Sequence, residues 1–140
     1  FARFCVRFGS EQRVAYPSNA GSMGRIIRLV PFIRKLLPTL SRRLADAGVP
    51  WRRPLELRTD VGNVCLGADA NRVMVIQAPA SQRPLKISLP ILNLSQLAFG
   101  YRAATDIAQD TGAHIPIAAL PILNILFPEA TPYMWWSDRF

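Results

Sequence analysis

The sequence predicts a single α+β domain in which mostly apolar helices lie on a small β-sheet. Three observations point there. Short alternating segments occupy the centre of the chain, an amphipathic helical stripe precedes them, and almost continuously apolar helices follow. The length, 140 residues, suits one domain and leaves little room for a second. Half of the residues are hydrophobic and 19% are charged, so there is ample apolar surface to offset chain entropy, and disorder is excluded.

The elements follow in order. Phe4, Val6 and Phe8 alternate with Arg3, Cys5 and Arg7, a strand pattern; Gly9-Ser10 turns the chain, and Arg13 to Tyr16 returns. Residues 17–22 (Pro-Ser-Asn-Ala-Gly-Ser) form a loop and the clearest boundary. Met23 to Leu29 reads as a short strand. A helix then opens with Pro31 in its first turn, where the missing N–H costs nothing. Phe32, Leu36, Leu40 and Leu44 recur every four residues with Ile33 and Leu37 beside them, and Arg34, Lys35, Ser41, Arg42 and Arg43 fall on the other face. Pro38 is expected to kink or split this helix, and Gly48-Val49-Pro50 to stop it.

A meander comes next. Leu55, Leu57 and Thr59 alternate with Glu56 and Arg58, residues 60–63 turn, Val64 to Ala68 pairs back, residues 69–71 turn again, and Arg72 to Gln77 is rich in β-branched residues. Leu85 to Ile87 adds an edge strand. Ser88 is expected to cap a helix with Pro90 in its first turn. Leu89, Ile91, Leu92, Leu94, Leu97, Ala98 and Phe99 leave that helix almost no polar face, and Gly100 is placed to end it in the left-handed conformation. Tyr101 to Gln109 reads as a short helix and Leu120 to Phe127 as the last, stopped by Pro128.

Composition removes several functions. One histidine and two cysteines cannot supply the three or four close ligands of a zinc site, so no metal is expected, and two cysteines cannot build a disulfide framework. Cys5 and Cys65 suit a reducing cytoplasm. The most apolar stretch, Ile115 to Phe127, is too short to span a bilayer, and the N-terminus lacks a secretory pattern. The first residue is Phe1 instead of Met, which reads as a piece of a longer protein. Neither GxGxxG nor GxxxxGK[ST] occurs, so the chain is expected to hold no phosphate cofactor by itself. His114 has Asp110 nearby in sequence but no nucleophile elbow, which leaves a loop histidine. Asp60, Asp69, Asp106 and Asp110 fit turn and cap positions.

Charge is unevenly placed. Residues 1–58 carry twelve bases and three acids (+9), and residues 59–140 carry five bases and six acids (−1), for a net +8. The first part faces something acidic or simply solvates helix faces. Phe1, Phe4 and Phe8 with Arg3 and Arg7 superficially resemble an aromatic-basic platform, but no RNA-binding motif accompanies them, and nucleic acid is not the expected partner.

Several strings carry a resemblance. These are residues 24–29 (Gly-Arg-Ile-Ile-Arg-Leu) followed by Phe32 to Leu44, Val73 to Ile76, residues 97–102 (Leu-Ala-Phe-Gly-Tyr-Arg), residues 120–128 (Leu-Pro-Ile-Leu-Asn-Ile-Leu-Phe-Pro) and residues 131–140 (Thr-Pro-Tyr-Met-Trp-Trp-Ser-Asp-Arg-Phe). In order and spacing, the stretch 22–140 resembles the C-terminal domain of multi-domain GNAT acetyltransferases of the enhanced-intracellular-survival (Eis) type. Residues 1–21 match less well and read as an extension or the remnant of a preceding domain.

The resemblance implies the sterol-carrier-protein-like α+β fold, a mixed sheet covered by helices. It implies that two GNAT-like domains precede this one and bind acetyl-CoA, and that the terminal carboxylate, here that of Phe140, serves as base for the acceptor amine. Tyr133, Trp135 and Trp136 would anchor that tail, unless they are ordinary core or edge aromatics. A free carboxylate in the mid-threes becomes a useful base only in a partly dry cleft. Two other functions stay open. A stand-alone carrier of a lipid or other apolar molecule would line its cavity with Leu92, Phe99, Ile122 and Leu126. A basic interaction module would act through residues 1–58. A homo-oligomer also stays open.

Overall fold

In the computed structural model, which describes residues 24–77 and 83–130 of one compact unit, the first element is helix α1 (Leu29–Ala47). Leu29, Ile33, Leu40 and Leu44 are its buried residues, spaced four, seven and four apart, which places them on one face. Pro38 does not split it: one 19-residue helix runs through that position. Pro38 is exposed, on the side of the helix where a carbonyl that lacks an N–H partner can be reached by water. Gly48 ends the helix in the left-handed conformation (φ 62°), with its N–H donated to the Ala45 carbonyl.

The expected strand at 23–29 is not formed over its described part. Residues 24–28 make no ladder; they are a lead-in to α1, which begins at Leu29 itself. The Ile26 N–H is bonded to the Ser95 Oγ at 3.1 Å, so a side chain takes the place of a neighbouring strand.

Four strands follow: β1 (Leu55–Thr59), β2 (Gly62–Asp69), β3 (Arg72–Ile76) and β4 (Leu85–Ser88). Their order in the sheet is β3-β2-β1-β4. The meander pairs antiparallel, with Leu57 opposite Val64 and Ala68 opposite Val73. β4 returns on the far side of β1 and runs parallel to it, Leu57 opposite Ile87. The two-residue turn between β2 and β3 has positive φ at both Ala70 (43°) and Asn71 (66°), the twist that two-residue hairpins require. Period-two alternation sends Leu55, Leu57, Val64, Leu66, Val73 and Ile87 to one face, all buried, and α1 packs over the β3–β2 side of that face.

Helix α2 (Ile91–Ala98) leaves the end of β4. Ser88 does not cap it, because Ser88 is the last residue of β4 and Pro90 holds the cap position. The Ile91 N–H is satisfied from elsewhere, by the Asp60 Oδ1 of the β1–β2 turn at 2.6 Å. The helix closes in a Schellman arrangement: Tyr101 N–H to the Gln96 carbonyl, Gly100 N–H to the Leu97 carbonyl, and Gly100 at φ 75°. The predicted helix over 101–109 shrinks to α3 (Ala104–Ile107), since Tyr101 and Arg102 are spent on that turn. A 3-10 turn (Ile117–Ala119) leads into α4 (Leu120–Leu126). Leu123, Leu126 and Phe127 are buried beside α1, where Arg43 Nη1 donates to the Leu126 carbonyl at 2.6 Å.

Candidate functional site

The four residues expected to line a cavity are placed in two environments. Leu126 is fully buried and Ile122 nearly so, within the core under α1. Leu92 is 57% exposed and Phe99 38% exposed. Phe99 stacks edge-on against Phe32, with ring centroids 6.0 Å apart and planes at 66°. Its ring also covers Gly24, where a Cβ would lie 2.7 Å from the Phe99 Cε2. Tyr133, Trp135, Trp136 and Phe140 lie outside the described residues, as do Cys5 and the paired strands expected in 1–21.

The polar groups singled out in the sequence have structural partners. Arg102 grips Asp110 with two nitrogens, at 2.6 and 2.8 Å, and Asn93 Nδ2 donates to the same carboxylate at 2.8 Å. The Arg102 hydrogen bonds hold the Asp110 carboxyl below its ordinary value, and Asp110 holds the guanidinium above its own. The cluster ties the segment after α2 back onto α2. His114 is exposed and pairs through its backbone with Ser88, extending the sheet by one bridge beyond β4. Cys65 is buried on β2, and its thiol is pushed up by burial and by the adjacent Glu56 carboxylate. It packs as a small hydrophobe. Among the described residues no group of His, Cys, Asp or Glu has the makings of a metal site. No described helix is long and apolar enough to cross a membrane.

The outer face of α1 differs from all of these. Lys35 and Arg42 are exposed and seven residues apart on α1, about 10.5 Å along its axis, and exposed Arg28 at the N-cap continues their line one interval further. Exposed Arg34 lies about 100° around the helix from Lys35, on the other side of the line through Pro31 and Pro38. The ion pairs among the described residues are Glu56–Arg58 and Arg102–Asp110, so this row enters none of them. Two residues expected on that face belong elsewhere. Ser41 Oγ donates to the Leu37 carbonyl and accepts the Val73 N–H at 2.9 Å, which pins α1 to the edge strand β3, and Arg43 caps α4. Beside Pro38 a half-open groove of about 420 Å³ runs between α1 and β3, lined by Leu37, Pro38, Ser41, Arg72, Val73 and Met74. The sequence marked a polar face with Lys35 and Arg42 on it, but neither the alignment with Arg28 nor the groove, which depends on how β3 sits against the helix.

The fold defines an α+β domain with a four-stranded mixed sheet and four helices. No protein-family model, curated protein or solved structure matches the chain.

Proposed function

We propose that the chain is the C-terminal, sterol-carrier-like module of a multi-domain GNAT N-acetyltransferase. The observation that carries this reading is the architecture: a mixed sheet, β3-β2-β1-β4, covered on one face by helices, as the resemblance of 22–140 calls for. In this reading acetyl-CoA is bound by the preceding GNAT domains of the parent, as the resemblance implies. The module gives structural support and presents the carboxylate of Phe140 to the acetyltransferase site. Among the described residues, fully buried side chains from α1, the sheet, α2 and α4, including Leu44, Leu57, Leu94 and Leu126, form a continuous core, which fits a supporting module.

The test begins with the size of the native product in source cells, read by immunoblot with an antibody to this chain. A product far larger than 140 residues is expected. Removal of Phe140 from that product should then abolish most acetyl transfer while acetyl-CoA binding persists. A product of about this size that co-purifies with a lipid would overturn the reading in favour of the carrier.

A further inference from the structure

We propose that the outer face of α1 is a docking surface for an acidic amphipathic helix of a protein partner. The inference does not depend on the acetyltransferase reading. Its warrant is charge complementarity in a specific geometry. Arg28, Lys35 and Arg42 form a straight row at the repeat of a helix packed nearly parallel to α1, and carboxylates seven residues apart on such a partner meet them in register. Pro31, Pro38 and Ala45, also exposed and seven apart, run beside the row and carry no long side chain, so a partner backbone approaches closely. The groove beside Pro38 accepts an apolar side chain from the same partner, and exposed Arg72 at its rim adds one more cation.

Other anionic partners fit less well. The apolar face of α1 is spent on the core, which leaves single exposed side chains such as Ile27, and no continuous apolar face, to insert into a bilayer. The row carries no aromatic side chain on which a base would stack.

The experiment titrates the full chain by fluorescence anisotropy against a labelled synthetic helix of about 20 residues, with glutamates at heptad spacing and leucines beside them. A peptide of the same composition in permuted order, phosphatidylserine vesicles and duplex RNA are measured in parallel. The heptad peptide should bind best and weaken as salt rises from roughly 50 to 200 mM. The variant carrying Arg28→Glu, Lys35→Glu and Arg42→Glu should lose roughly tenfold or more. Lys35→Glu alone should lose about threefold, which keeps the test decisive if the triple variant folds poorly. Binding that survives the substitutions, equal binding of the permuted peptide, preference for vesicles or RNA, or no binding to the heptad peptide would each overturn the proposal.

Discussion

Replacing Ser95 with alanine tests how the lead-in to α1 is held. Ser95 is 2% exposed, the one buried polar side chain among the described residues. Its Oγ accepts the Ile26 N–H at 3.1 Å and donates to the Ile91 carbonyl at 2.7 Å. Without the hydroxyl, the Ile91 carbonyl keeps its helical partner, but the Ile26 N–H, also buried, keeps none. Stranding such a donor costs about 1–3 kcal/mol. Alanine returns about 0.5 kcal/mol through its better helix propensity. The net loss is therefore about 0.5–2.5 kcal/mol, which lowers the melting midpoint by about 2–9 °C in a chain of this size. Thermal unfolding followed by circular dichroism gives the midpoint, and hydrogen exchange gives the protection of the Ile26 amide. A midpoint within about 1 °C of the parent, with Ile26 protection unchanged, would refute the reasoning, because both follow from one lost acceptor.

Three further outcomes are expected. Gly100→Ala should lower the melting midpoint by several degrees: φ is 75°, the new Cβ would lie 2.9 Å from that of Ala130, and the left-handed conformation costs an L-residue about 1–2 kcal/mol. Because Arg102 lowers the Asp110 carboxyl, that pair stabilises the fold above the unfolded carboxyl value of about 3.9 and ceases to do so as pH falls through the folded value. Urea unfolding should accordingly show Asp110→Asn less stable than the parent near neutrality, with the gap closing in acid; a gap independent of pH contradicts the pairing. Cys65, whose thiol burial raises, should alkylate slowly at neutral pH in the folded Cys5→Ser chain and rapidly in urea, and equal rates would show that the thiol is not sequestered.

The sheet was legible because its strands are short and locally written. Leu55, Leu57 and Thr59 alternate, the Asp69-Ala70-Asn71 turn names itself, and β1 to β3 fall within a residue or two of the expected spans. The partner of β4 was not legible, because parallel pairing with β1 is a tertiary choice that no local pattern encodes. The same holds at both ends of α2. Its first N–H is capped by Asp60, 31 positions earlier in the chain, so proximity in sequence pointed to Ser88 instead. Residues 24–28 have the β-branched look of a strand, but a serine hydroxyl met their buried N–H before any strand did. On α1 the polar spacing marked an outer face correctly in outline, while Ser41 and Arg43 were drawn inward by backbone groups of β3 and α4. Side-chain-to-backbone bonds across long separations are the common thread of these departures.

The two ends of the described body lie against the same turn. Gly24 sits under the ring of Phe99, and Ala130 donates its N–H to the carbonyl of Gly100 at 2.9 Å. Chain entry and chain exit are therefore neighbours. A body with that wiring can be spliced as a cassette into an exposed loop of a host protein, since the host's two loop ends need not be drawn apart to receive it. The same wiring suits a circular permutation, with a short linker joining Ala130 to Gly24 and new ends opened at the exposed Ala70-Asn71 turn.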